Sequence, residues 1–240
     1  MIGAFINATG ILLGALFGLA WRKPLSLRVQ VFFRSGLGAF TVLFGLRLVW
    51  ENLNGGFLPG VKQILIASLA VVLGNWLGKM LALQKFSNRL GRHAANRLAA
   101  AQKNPPGQPA DGFVTGSILF CAAPLGLIGA VTDGLSDYYQ LLALKAVMDA
   151  LATVSFTQIF RWPAALAAFS VYLFLTGLTL AVHVGVLPWL AAHALTESVN
   201  AAAGLIVGAM ALVIFEVRRV ELANYLPALA VAPLLTWLTR

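Results

Sequence analysis

Eight runs of this chain are apolar over enough residues to cross, or nearly cross, a lipid bilayer: 2–20, 36–50, 61–83, 113–131, 139–160, 163–182, 198–215 and 222–238. About 17–25 helical residues span roughly 30 Å of hydrocarbon. A backbone in hydrocarbon has no water to bond, so each run must satisfy its own peptide groups as a helix. The composition agrees. Only 10% of the residues are charged and the mean hydropathy is +0.85, whereas soluble domains average about 25% charged residues. The runs leave little of the 240 residues for anything else. The expectation is therefore an all-α integral membrane protein, a single polytopic domain of about eight transmembrane helices.

The first run does not read as a cleavable signal, because Arg22 and Lys23 follow it and no basic segment precedes it. Cys121 is the only cysteine, which excludes an internal disulfide and a thiolate metal cluster. The net charge of +9 invites a nucleic-acid reading, but the positions of the charges argue against one. Arg22, Lys23, Arg28 and Arg34 follow span 1, six basic residues from Lys79 to Lys103 lie between spans 3 and 4, and Arg161 separates spans 5 and 6. Arg218 and Arg219 separate spans 7 and 8. The alternate connections, 51–61, 132–138 and 183–197, hold Glu51, Asp133, Asp137 and Glu197, with Lys62 at a span edge. This is the positive-inside pattern, with both termini outside and the basic excess facing cytoplasm and anionic lipid. Residues 84–111 read as a basic interfacial helix ending in a Pro/Gly turn. Residues 183–197 read as a short interfacial or re-entrant helix.

The two ends of the chain resemble each other. At an offset of 164, Phe5 meets Phe169 and Pro24 meets Pro188; at 161, Ala67 meets Ala228 and Trp76 meets Trp237. Because the paired spans cross in opposite directions, the expected plan is an inverted repeat of spans 1–3 against 6–8. It divides the chain into repeat 1 (1–84), a basic cytoplasmic linker (85–111), a central hairpin of spans 4 and 5 (112–160) and repeat 2 (163–240). Inverted repeats recur in secondary transporters, whose sites lie near mid-membrane on discontinuous helices.

The polar residues inside the spans narrow the search for a site. Of the eight acids, seven fall at or beyond span ends, and Asp149 alone sits deep, about 15 Å into span 5 at about 1.5 Å per residue. Lys145, Asp149, Thr153 and Thr157 recur at i+4 and share one helix face. A Lys or Asp at a span centre costs roughly 2.5–3.5 kcal/mol on insertion scales, so this stripe must face protein or water. A bland reading competes: the i,i+4 pair neutralises itself as a staple in the bundle. Span 4 is expected to supply the opposite wall, with Pro124 freeing a backbone carbonyl at membrane depth and Cys121 beside it. Asp133, at the outer mouth, would attract cations. Asn7 shares a face of span 1 with glycines in G-x-x-x-G spacing (Gly14 and Gly18, as with Gly74 and Gly78 in span 3), which favours close helix packing. Glu197 and Asn200 read as the N-terminal cap of span 7. No metal centre is expected. H-E-x-x-H, G-x-S-x-G and Walker A motifs are all missing from the sequence, so the chain is not read as an enzyme.

The segments "GAFINATGILLGALFG", "GFVTGSILFCAAPLGLIGAVTDGL", "LLALKAVMDALA" and "ELANYLPALAVAPLL" resemble the bacterial YqgA-like and YdfK-like membrane-protein family (DUF554) over essentially the whole chain. The most specific part runs from Phe120 to Ala152, with D-G and then K-x-x-x-D. Members typically carry glycine near Ala122, alanine near Pro124 and often glycine where this chain has Ala150. The resemblance implies a multi-pass protein of the bacterial inner membrane with a transport role and no agreed substrate.

Taken together, the residues point to a small secondary transporter or permease for a small solute, coupled to Na⁺ or H⁺ and without a bound cofactor. Asp149, Lys145, Thr153, Asp133, Cys121, Pro124 and Asn7 are its candidate substrate- or ion-binding residues. A channel or a non-transporting scaffold is the alternative. The expected partners are a small molecule or ion, membrane lipid and a second copy in a homodimer, with no nucleic acid.

Overall fold

The computed structural model describes residues 2–21, 26–53, 55–103 and 109–239, with backbone alone at 102–103 and 109–110. Arg22, Lys23, Pro24 and the 104–108 part of the Pro/Gly turn lie outside the described residues. Regular structure among the described residues is entirely helical: α1 (Ile2–Ala20), α2 (Leu27–Glu51), α3 (Phe57–Met80), α4 (Leu83–Lys103), α5 (Pro109–Cys121), α6 (Pro124–Ser136), α7 (Gln140–Phe160), α8 (Ala167–Ala181), α9 (Leu187–Ala192), α10 (Thr196–Ile214) and α11 (Ala228–Leu238).

Among the described residues, six stretches are long and apolar enough to cross a membrane, and a seventh if the pair α5–α6, bent by 62°, counts as one span. Of the eight expected spans, the one not reached is 222–238, and the reason is local. The run 222–238 is a 3₁₀ turn, Leu222–Tyr225, followed by α11 of only 11 residues, with Pro227 interrupting the hydrogen-bond ladder between them. Span 6 and the connection after it form one helical stretch, Trp162–Ala192, instead of a span and a separate re-entrant helix. Its continuity survives Pro188 through a π-helical turn at Val182–Val186, where Leu187 N–H donates to the carbonyl of Val182, five residues back.

The chain packs as two compact units. The first comprises Met1–Leu27, Phe86–Asp133 and Tyr138–Leu180; the second comprises Arg28–Lys85, Gly134–Asp137 and Ala181–Arg240. These boundaries cut across the expected segments, because α1 separates from α2 and α3.

The first unit is organised by α1 lying on α7, the most extensive helix pairing among the described elements. Gly3 lies against Leu142, Gly10 against Ala146, Gly14 against Ala150, and Gly18 against Val154 and Thr157. Residue numbers rise together, so the two helices run parallel. A Cβ on Gly10 would sit 2.6 Å from the Ala146 carbonyl oxygen; only a glycine face lets the backbones approach this closely. On its other side α7 meets α6 in antiparallel register, with Gly129 at Leu142 and Gly126 at Lys145. Ala4, Ala8 and Ile11 of α1 close an apolar cluster with Phe120, Ala167, Val171 and Leu175.

The second unit repeats this economy with antiparallel pairs. Gly45 of α2 meets Gly204 and Gly208 of α10, and Gly38 meets Phe215. Gly74 and Gly78 of α3 meet Ala228 and Asn224, and at the other end Lys62 Nζ donates to the Thr239 carbonyl at 2.8 Å. Asn224 fastens the chain before α11 by accepting from Gln84 N–H at 3.0 Å, while Gln84 Oε1 accepts from Ala223 N–H at 3.1 Å.

Gly14→Val should destabilise the fold by about 1–3 kcal/mol through overpacking against Ala150. Gly177→Ala, where an added Cβ meets open space, should melt within error of wild type. Thermal unfolding of the two purified variants in detergent checks this, and equal melting points would refute the close α1–α7 contact.

Candidate functional site

The first unit holds the buried charges that the stripe on α7 foretold. Lys145, Asp149, Thr153 and Thr157 are all buried. The Lys145 ammonium forms an ion pair with Asp149 through Oδ2, the i,i+4 geometry that one helix supplies without help. Asn7 comes from α1 across the glycine interface, and its Nδ2 donates to the same Oδ2 at 3.0 Å. An ammonium from the same helix and an amide from a distant one thus share one oxygen.

Lys145 fits because α6 offers no side chain where its stem lies: a Cβ on Gly126 would fall 2.8 Å from Lys145 Cε. Its Nζ stands 6.0 Å from the centre of the Phe120 ring, close enough for a cation–π attraction in a desolvated site. The Asp149 side chain keeps 9% of its surface exposed against 2% for Lys145. Among the described residues both bonds to the carboxylate fall on Oδ2, which leaves Oδ1 for a further ligand. Asn7 turns its amide nitrogen to the carboxylate, and its buried Oδ1 has no hydrogen-bond donor among the described residues. Two acceptors, Asp149 Oδ1 and Asn7 Oδ1, thus stay open to a cation or an N–H donor, beside an ammonium that has used one of its three protons.

Other predicted site residues lie differently from expectation. The Thr153 hydroxyl donates to the Asp149 carbonyl at 2.6 Å and Thr157 to the Thr153 carbonyl at 3.0 Å. Their protons are committed to their own helix, and Thr157 packs on Gly18. The lower half of the stripe thus turns its hydroxyl protons into its own helix, which leaves the Thr153 oxygen an acceptor. Pro124 begins α6 after a break at Ala122 and Ala123, a first-turn position where its missing N–H costs nothing; the broken span separates two helices and does not merely kink one. Cys121 ends α5, half-buried, against the apolar cluster around Phe120. Asp133 is not at an open mouth. It is 2% exposed, and its Oδ2 lies 3.2 Å from where a Cβ on Gly3 would stand. Asp149 is therefore not the only acid withdrawn from the surface.

Glu197 stands in the first turn of α10, but the capping position itself is held by Leu195, which has no side-chain hydrogen bond to give. Asn200, read as the companion of Glu197, is buried and donates to Asn52 Oδ1 at 2.9 Å and Ser136 Oγ at 3.2 Å. Sequence reasoning missed this polar cluster of the second unit. The signal was present: N-A-T-G opens at Asn7 and N-A-A-A-G at Asn200, an amide before small residues in each helix.

The family model described as "Protein of unknown function (DUF554)" matches residues 2–237. The chain belongs to DUF554. This DUF554 chain is 28% identical over 233 residues to "Uncharacterized protein YqgA" of Escherichia coli (strain K12), covering 97% of this chain and 94% of that protein. It is 21% identical over 241 residues to "Uncharacterized membrane protein YdfK" of Bacillus subtilis (strain 168), at the same coverage of 97% and 94%. No solved structure matches it. Membership together with the apolar helices makes it a multi-pass membrane protein.

Lys145→Met leaves Asp149 buried beside Asn7 without its cation, and should destabilise the DUF554 chain by about 3–5 kcal/mol. The double variant Lys145→Met/Asp149→Leu should regain most of that loss. Unfolding midpoints of the three proteins measure the effect; a double variant no more stable than Lys145→Met would show that the pair does not act as a unit.

Proposed function

We propose that this chain is a small secondary transporter or permease, in which Asp149 binds a coupling Na⁺ or H⁺, or the amine of a small solute. Asn7 Oδ1 and Asp149 Oδ1 supply the ligands. Lys145 neutralises the carboxylate when the cation leaves, so the empty site carries no net charge into the low-dielectric interior. The single observation that carries this reading is the lopsided engagement of Asp149: two donors on Oδ2, with a buried, donorless Asn7 oxygen next to it. A pair kept for stability alone would gain as much from apolar packing of similar volume.

The broken span supports the same reading, since discontinuous helices near mid-membrane are where transporters bind ions. So do the antiparallel pairings of α2 with α10 and of α3 with α11, the arrangement that an inverted repeat of spans 1–3 against 6–8 would produce. In this reading 222–238 makes an eighth crossing along α3, and the protein works in the bacterial inner membrane with both termini outside and the basic helix α4 on the cytoplasmic surface. Lipid covers the exposed apolar faces of α2 and α3, and a homodimer would cover part of them. A channel would use the same residues; saturable, gradient-driven uptake separates a carrier from it.

The test is a thermal-shift screen of the purified protein against Na⁺, pH and small metabolites, with hits carried into proteoliposome uptake. A ligand of this site should raise the melting temperature of wild type and lose that effect in Asp149→Asn. A ligand that stabilises both equally, or a hit panel with no saturable uptake, would overturn the reading.

A further inference from the structure

The second unit contains a cleft that the transport reading does not use. It has a volume of about 380 Å³ and opens between the end of α2 and α3 on one side and α10 and the last turns of α11 on the other. That is within the roughly 300–1,000 Å³ range of small-molecule sites. We propose that this cleft binds a small zwitterion, a molecule the size of an α-amino acid carrying one ammonium and one carboxylate. The proposal stands apart from the Asp149 site and does not rest on it.

The lining carries the argument. Its charged residues are Lys62 and Glu197, one of each sign, so a ligand of zero net charge with separated poles matches it. The hydroxyl groups refine the match. Ser198 Oγ donates to the Leu195 carbonyl at 2.7 Å, Thr236 Oγ1 to Ala232 at 2.9 Å and Thr239 Oγ1 to Leu235 at 2.9 Å. With each proton committed to a helix carbonyl, these oxygens meet a ligand as acceptors. Together with the Glu197 carboxylate they form a wall suited to an ammonium group. Lys62 is the opposite pole. It uses one of its three protons on the Thr239 carbonyl, at 2.8 Å, and keeps the others for a carboxylate.

The cleft is also held in shape before a ligand arrives. Asn52, on its wall, has both ends of its amide occupied: Nδ2 donates to the Leu48 carbonyl at 2.8 Å and Oδ1 accepts from buried Asn200 at 2.9 Å. Ala201, also lining the cleft, is a buried residue of α10. That part of the wall needs no side-chain ordering on binding.

Isothermal titration of the full-length protein in lipid nanodiscs tests the proposal. The probes are L-serine and L-alanine, with ethanolamine as the cation-only analogue and lactate as the anion-only analogue. At least one zwitterion should bind, and both single-charge analogues should bind about tenfold more weakly or not at all. Lys62→Met and Glu197→Gln, at an exposed and a half-buried position, should each weaken the zwitterion about tenfold. Asp149→Asn should leave it unaltered. Failure of both zwitterions to bind, equal binding of a single-charge analogue, or affinity unchanged in both cleft variants would overturn the assignment. Affinity lost in Asp149→Asn alone would move the ligand to the other site and equally overturn it.

Discussion

A charged side chain in hydrocarbon must be enclosed by protein, and the first unit is arranged around that requirement. The Lys145–Asp149 pair neutralises itself on one helix, but neutrality does not remove the need for hydrogen bonds and for walls. The walls come from helices able to approach unusually closely. The glycine face of α1 brings Asn7 into reach of Asp149 Oδ2, and Gly126 of α6 makes room for the lysine stem. Replacing either face with larger residues would push the enclosing helices away and admit lipid to a charged pair.

The same logic explains why the span containing Pro124 is broken. A continuous helix through 109–136 would carry Phe120 and Gly126 on one straight axis. The break after Cys121 and the 62° bend let α5 pack toward the 3₁₀ turn Trp162–Leu166, while α6 lies on α7. One unit thereby gains both the Phe120 ring that faces the ammonium and the glycine that accommodates its stem. Interrupted helices at membrane depth are tolerated where neighbouring protein covers the freed backbone groups, and here the cover is α7 and the apolar cluster around Phe120.

The second unit solves a milder problem with amides and not with ions. Asn200 donates to both Asn52 and Ser136, and Asn224 and Gln84 bond further along the unit. Amides cost less to bury than charges and still fix helix register, because each has a donor and an acceptor to satisfy. These contacts sit beside small-residue crossings, Gly45 with Gly208 and Gly74 with Ala228. Close backbone approach and a few amides that donate across helix crossings thus recur in both units as the means of specifying a membrane bundle that has no hydrophobic effect to draw on.

The sequence by itself determined the features that local chemistry controls: helical, membrane-embedded segments, the basic amphipathic stretch that became α4, the one-faced stripe of Lys145, Asp149 and Thr153, and the packing role of Gly14 and Gly18. All of these depend on residues within a few turns of one another. Helix ends were less legible, since Ala82, Arg161 and Ala194 stop or turn the chain at φ of 54°, 62° and 46° without the glycine that usually marks such a place. Arg28 and Arg34 hid the first turns of α2, although an arginine stem is compatible with a helix and Arg34 pairs with Glu216. Only the tertiary structure decided partnership: that Asn7 bonds Asp149 from 142 positions away, that Asp133 is withdrawn from solvent, and that Asn200 joins Asn52 and does not cap its helix. A sequence shows which side chains share a helix face. Which face meets which depends on how closely two backbones can approach, and that is settled when glycines from distant segments meet.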